Sequence, residues 1–232
     1  MPNQVVGLSS MATKDLLAEL GDALRRDHSV SVSFASAGGV AVARQIRNGT
    51  QADLAVLDAA TMSELADDGF FVPGTLTPLY VSDVVAAVPE GAPPVSISSQ
   101  DEVRRALLDA ERIAYSTGPS GRALLGLLER WDLRDVLAAR LVQAEPGSPV
   151  AGLLAGGKAD LGFQQRSELS GSAGVRVLGA LPGSAAIKST FSGAVLARST
   201  QHGPAREVLD LLRADDAEVR VRAAGMALAC DL

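Results

Sequence analysis

Short apolar runs alternate with stretches in which apolar residues recur every three or four positions, and the alternation continues from one end of the 232-residue chain to the other. Val5 to Leu8 is such a run. Ser9-Ser10 interrupts it, and Leu16, Leu17, Leu20 and Leu24 then follow at helical spacing as far as Arg26, which predicts strand, polar loop and helix. Over Ser29 to Ser36, Val30, Val32 and Phe34 alternate with serines, and Ala37-Gly38-Gly39 turns into a second helix ending near Asn48-Gly49. Leu54 to Leu57 predicts a third strand, Thr61 to Asp68 a helix closed by Gly69, and Val81 to Val88 a long strand stopped by Pro89.

The same grammar restarts at Ser98. Ser99 and Glu102 have capping-box spacing and open a helix through Asp109. Arg112 to Ser116 reads as a strand that runs into Gly118-Pro119-Ser120-Gly121 and a helix carrying Leu124, Leu125, Leu127 and Leu128. Leu141 to Gln143 is a short strand, Gly147-Ser148-Pro149 a helix start with proline at the first helical position, and Gly156-Gly157 its stop. Ala159 to Gln165, Val175 to Leu178 and Phe191 to Ala197 complete the strands, and helices at about Pro204 to Arg213 and Ala217 to Ala224 finish the chain. Strand and helix in steady alternation predict an α/β fold with mainly parallel strands.

Composition removes several function classes. A formal charge of -6 with 3% aromatic residues argues against a nucleic-acid partner, which requires a basic face and usually stacking rings, and Trp131, Tyr80 and Tyr115 are too few for such a platform. No apolar run reaches the roughly 18 residues of a membrane span. Met1-Pro2-Asn3-Gln4 shows neither a basic n-region nor an h-region, so a cytoplasmic protein is expected; a mature exported chain behind a new methionine would read the same way, and would be periplasmic or extracellular. The single cysteine, Cys230, forms no internal disulfide. Asp53, Asp58, Asp67-Asp68 and Asp215-Asp216 have no metal-ligand spacing with histidine or cysteine, so no metal is expected. Gly38-Gly39 and Gly156-Gly157 match neither a dinucleotide fingerprint nor a phosphate loop, and no cofactor is expected. Ser120 lacks the Gly-x-Ser-x-Gly setting of a hydrolase nucleophile.

What remains is positional. Four junctions leading into helices carry serine and glycine: Ser9-Ser10, Ser36 to Gly39, Gly118 to Gly121, and Gly147-Ser148. In a parallel sheet such loops share one edge, where helix N-termini offer unpaired N–H groups and partial positive charge to a small anion. Serine is also the ordinary N-cap, and each junction taken alone can be read that way.

The segments Val5-Val6-Gly7-Leu8-Ser9-Ser10 and Ser33-Phe34-Ala35-Ser36-Ala37-Gly38-Gly39, followed by Ala41 to Ile46, Asn48-Gly49 and Ala52-Asp53-Leu54, resemble molybdate-binding periplasmic proteins. The resemblance implies a two-lobed type II periplasmic-binding-protein fold, with mixed, mainly parallel sheets flanked by helices and two crossover strands, at Val81 to Val88 and around Lys188 to Phe191. Lobe 1 would comprise residues 1–80 plus 191–232 and lobe 2 residues 81–190, with a ligand cleft between them. Carried over by position, the family's oxyanion contacts fall on Ser10 or its neighbour Ser9, on Ser36, on the Pro119-Ser120 turn, on the Val150 backbone beside Ser148, and on Gln165.

Two departures from that pattern imply a roomier ligand with more hydrogen-bonding edges. Ala37-Gly38-Gly39 stands where hydroxyls are usual, and Gln164-Gln165 where a tyrosine is usual. The segments Tyr115 to Gly121, Leu161 to Leu169 and Thr190-Phe191-Ser192-Gly193 are closer to a branch of the family that includes aconitate isomerase. Arg122 and Arg166 stand nearest the proposed cleft in sequence and suit a polycarboxylate. Two functions are therefore expected. One is isomerisation of an aconitate-like unsaturated acid by an allylic proton shift; the other is binding of molybdate or tungstate without chemistry, with an ABC permease as partner only if the chain is exported. Tyr115, Glu145, Lys14 and Lys188 stand as conceivable bases, and no spacing selects among them; His28 and His202 lie away from the proposed cleft loops.

Overall fold

The structure, a computed structural model, describes residues 4–229; Met1, Pro2, Asn3 and Cys230 lie outside the described residues. In chain order the elements are β1 (Val5–Ser10), α1 (Lys14–Asp27), β2 (Val32–Ala37), α2 (Gly39–Arg47), β3 (Leu54–Asp58), α3 (Ala59–Asp67) and β4 (Thr77–Pro89). Then come α4 (Gln100–Asp109), β5 (Ile113–Tyr115), α5 (Pro119–Arg130), α6 (Arg134–Leu137), β6 (Leu141–Gln143), α7 (Val150–Ala155), β7 (Leu161–Gln165), α8 (Arg166–Leu169) and β8 (Val175–Ala180). The chain closes with β9 (Lys188–Val195), α9 (His202–Leu212), α10 (Glu218–Ala223) and β10 (Met226–Leu228). It divides into two compact units, one running to Val81 and resuming at Thr190, the other being Ser82–Ser189. β4 and β9 are the two strands that pass from one unit to the other.

In the first unit β1 lies between β2 and β3, parallel to both, and β9 runs antiparallel to β3. β3 is buried along its whole length, and its alternating side chains serve two cores. Leu54 and Val56 pack with Leu17, Leu20, Leu79 and the buried faces of α9 and α10, whereas Ala55 and Leu57 pack with Val42, Ile46, Met62 and Leu65 from α2 and α3. Layers of helix therefore cover both faces of the sheet.

The second unit repeats the plan. β4 lies between β7 and β8, antiparallel to each, and β5 is parallel to both β6 and β7. Val84, Ala86 and Val88 face α4 and α5, while Val85 and Ala87 face α7 and Leu169 of α8.

Several boundaries differ from the sequence reading. β1 continues through Ser9 and Ser10, because the ladder is made by backbone groups whatever the side chain; Ser9 registers with Ser36 and with Val56. These serines are thus strand ends rather than loop. β2 begins at Val32, after Ser29 has taken a left-handed backbone at φ 57°. α3 starts two residues early, since Asp58 Oδ1 accepts the Thr61 N–H at 3.1 Å. Pro149 caps α7 instead of opening it. α6, α8 and β10, each three or four residues long, carry too little periodicity to be read from sequence.

Candidate functional site

Each unit gathers its serine and glycine junctions at the C-terminal ends of neighbouring parallel strands. In the first unit Ser9 Oγ and Ser36 Oγ share a hydrogen bond of 2.7 Å, with Ser9 fully buried. Beyond Ser36 the chain turns through Ala37 and Gly38 into α2, whose cap residue, Gly38, has no side chain to spend on the first-turn N–H groups. Ser10 likewise caps nothing through its side chain: its hydroxyl meets Thr13 Oγ1 at 3.3 Å. Ser9, Ser10, Ser36, Gly38 and Gly39 therefore form one edge. Asp58 ends β3 at this edge, and a Cβ placed on Gly39 would lie 3.8 Å from its Oδ2. Its other carboxylate oxygen holds the start of α3.

In the second unit Ser116 and Ser120 hydroxyls are hydrogen-bonded at 2.8 Å, and Gly118 N–H donates to Ser116 Oγ at 3.2 Å. Pro119 opens α5, where its missing N–H costs nothing. Gly121 must be glycine, because a Cβ there would stand 1.8 Å from the Ser116 carbonyl oxygen. Ser116, buried and central to this turn, was missed from sequence; its spacing of four from Ser120 was the available signal. Arg122, one turn into α5, is exposed and engaged.

The β6 to α7 junction behaves differently. Ser148 is exposed and its N–H donates to the Glu145 carbonyl. The Val150 N–H is taken by Gln164 Oε1 at 2.7 Å, and Gln164 Nε2 donates to Glu168 Oε1 at 2.8 Å. Gln165 Nε2 donates to Ser189 Oγ, while Gln165 Oε1 is buried with no partner among the described residues. Burial pushes the Glu168 carboxyl up to about 7, against the smaller opposing pull of the Gln164 hydrogen bond. Glu168 is a second residue that sequence reading missed, since the four residues of α8 have no pattern to mark it.

Of the other expected participants, Lys14, Lys188 and Glu145 are exposed, Tyr115 is buried at the end of β5, and Arg166 is half-buried at the start of α8. His28 is exposed and bonded to Asp216 Oδ2 at 3.2 Å. Among the described residues no helix is long and apolar enough to cross a membrane, and no group of three His, Cys, Asp or Glu side chains could hold a metal ion.

The comparisons with known proteins agree with this architecture. A Pseudomonas sp. aconitate isomerase is 29% identical over 227 residues, covering 94% of this chain and 86% of that protein. The periplasmic molybdate-binding protein of Azotobacter vinelandii superposes with a TM-score of 0.82 at 21% identity, covering 97% of this chain and 99% of that one. The sulfate-binding protein SubI of Mycobacterium tuberculosis does so with a TM-score of 0.79 at 16% identity, covering 98% and 87%. At such identities the two structural likenesses speak to the fold alone: an α/β periplasmic-binding-protein architecture. Residues 5–227 match the family described as bacterial extracellular solute-binding protein, and with nearly the whole chain inside that match this protein belongs to that family.

Proposed function

We propose that the protein binds a small polycarboxylate through the neutral donors of its serine and glycine edges and isomerises it, shifting an allylic proton in an unsaturated acid of the aconitate class. Binding is supported by the chemistry of the two serine edges. Their hydroxyls are paired with one another, and the cap residues of α2 and α5, Gly38 and Gly118, have no side chain to spend on the first-turn N–H groups. Such donors suit carboxylate oxygens, and preorganised donors of this kind also stabilise enolate-like charge as it develops. Ala37, Gly38 and Gly39 add no bulky side chain at their edge, which suits a ligand larger than a tetrahedral oxyanion.

The step from binding to turnover rests on one observation, the 29% identity to an aconitate isomerase along 94% of the chain. The second reading is a non-catalytic receptor for molybdate, tungstate or a similar anion, working with an ABC permease outside the cytoplasm; the description of the family as extracellular solute-binding proteins favours it.

One pair of measurements separates the two. Purified protein is mixed with trans-aconitate and cis/trans interconversion is followed by proton NMR, beside a thermal-shift series with molybdate, tungstate, sulfate, citrate and the aconitates. Interconversion supports the enzyme. A large melting shift with molybdate and no isomer exchange ends the enzyme reading.

A further inference from the structure

The proposed reaction needs a base that can take a proton from one carbon and return it to another, and none of the groups considered from sequence is built for that. Lys14, Lys188 and Glu145 are exposed to water, and Tyr115 is packed in the core with Leu124 and Phe163. Glu168 is placed differently. β7 runs two residues beyond the point where Tyr115 of β5 registers with Phe163, so Gln164, Gln165 and the start of α8 extend from the same edge as Ser116 and Ser120. One carboxylate oxygen, Oε1, is held by Gln164 Nε2, and Gln164 is itself fixed through its Oε1 by the Val150 N–H. The other oxygen has no partner among the described residues and is not sealed from solvent.

We propose that Glu168 is the catalytic residue that carries the proton in this isomerisation, held in place by the Val150–Gln164 relay; the inference rests on the isomerase reading above. Glu168 Oε2, as carboxylate, takes a proton from the carbon next to the double bond. The C–H bond breaks and its electron pair passes into the conjugated system as a dienolate, whose charge rests on the substrate carboxylate oxygens and is met by the neutral donors of the site. The resulting carboxylic acid returns the proton to the far end of the three-carbon unit. Atoms and charge balance, no co-reactant is consumed, and the enzyme ends as it began.

The surroundings suit the role. α8 packs on β7, α7 and β8. β7 and α7 contain no charged residue, β8 contains only Arg176, and Arg176 donates to the carbonyl oxygens of Ala92 and Pro93. On α8 itself the other charged group is Arg166, half-buried. A carboxyl raised to about 7 by burial is a stronger base than an exposed one and still gives up its proton near neutrality.

The test uses the full chain with trans-aconitate in D2O between about pH 5.5 and 8.5, bracketing the Glu168 titration. Proton NMR follows isomer exchange and deuterium entry at the methylene carbon, and calorimetry follows binding. Wild-type kcat should fall on the acid side with a midpoint near 7. Glu168→Gln, which keeps the shape and the Gln164 contact, should lower both exchange rates by about 10²- to 10⁴-fold. Its affinity for trans-aconitate should stay within about threefold of wild type, because a neutral amide loses little if the carboxyl contributes mainly in the transition state. Glu168→Asp should retain measurable exchange.

A Gln variant within about tenfold of wild type would overturn the assignment of Glu168 and leave the isomerase reading standing, since general-base loss is larger than that. Wild-type protein that binds trans-aconitate and exchanges no proton would overturn both. Should Glu168→Gln unfold at the assay temperature, the wild-type profile decides: a flat kcat across the range would overturn the assignment.

Discussion

At Ser99 the hydroxyl accepts the Glu102 N–H at 3.2 Å, while Glu102 Oε2 accepts the Ser96 hydroxyl at 2.6 Å and the Ser98 N–H at 2.7 Å, bonds that hold its carboxyl below the usual carboxylate range. At Ser36 the hydroxyl meets Ser9 Oγ and, among the described residues, caps no helix. One serine caps a helix and the other waits at a strand end, so their alanine variants should separate cleanly. Ser99→Ala should lose about 1 kcal/mol of stability in chemical denaturation with ligand affinity unchanged. Ser36→Ala or Ser120→Ala should weaken trans-aconitate or molybdate binding by about 1 to 3 kcal/mol in calorimetry. Glu168 gives a further prediction at this scale. Its folded-state value, raised from 4.5 to about 7, means the folded protein holds the proton more tightly than the unfolded chain. The resulting stabilisation is full below 4.5 and is lost as pH rises through 7. Wild type and Glu168→Gln should therefore melt alike near pH 4.5, and the Gln variant should gain by up to roughly 3 kcal/mol near pH 8. The spacing of Ser99 from Glu102 announced the cap because a capping box is local in sequence. Nothing local announced that Ser9 would touch Ser36, 27 positions away, or that a four-residue helix would leave Glu168 half-buried beside Gln164.

Among the elements, α5 is the one whose placement leaves least tolerance. Its start lies against the backbone of Ser116, with Gly121 at the contact. Gly121→Ala brings a methyl onto a carbonyl that has nowhere to move, so it should destabilise the protein by about 1 to 3 kcal/mol or more and, by displacing Ser120, abolish ligand binding; urea melts and calorimetry check the two halves. Gly162→Ala is the control. There the added methyl meets the ends of the Val150 and Leu154 side chains at 2.7 and 3.0 Å, atoms that can yield, and the loss should be smaller. The helices α1, α2, α4, α5 and α9 were legible because each shows one apolar stripe. β3, β5 and β7 were legible as short apolar runs bounded by polar residues. The end of β1 was not, because two serines read as a break whenever the partner strands are out of view.

Across the molecule, the first unit is assembled from two distant parts of the chain, and Asp53 is one place where they are joined. Its carboxylate accepts the Val6 N–H at 2.8 Å, Ser199 Oγ–H at 2.7 Å and Gln201 Nε2–H at 3.0 Å. Asp53→Ala leaves all three donors without this acceptor and should reduce unfolding free energy by about 2 to 4 kcal/mol, with ligand affinity unaltered because Asp53 precedes the start of β3 while the serines end β1 and β2. The alternation of apolar runs and amphipathic stripes determined by itself that the chain is α/β, since a strand buried on two faces and a helix buried on one leave different periods in sequence. Residue types at the strand ends determined that serine and glycine, small neutral donors, cluster at the junctions leading into helices. Only tertiary structure decided which of those donors are already engaged: Val150 by Gln164, Ser116 by Ser120, Gln164 by Glu168. Hydrogen bonding and desolvation depend on what the folded chain brings within about 3 Å, a distance that sequence separation does not encode.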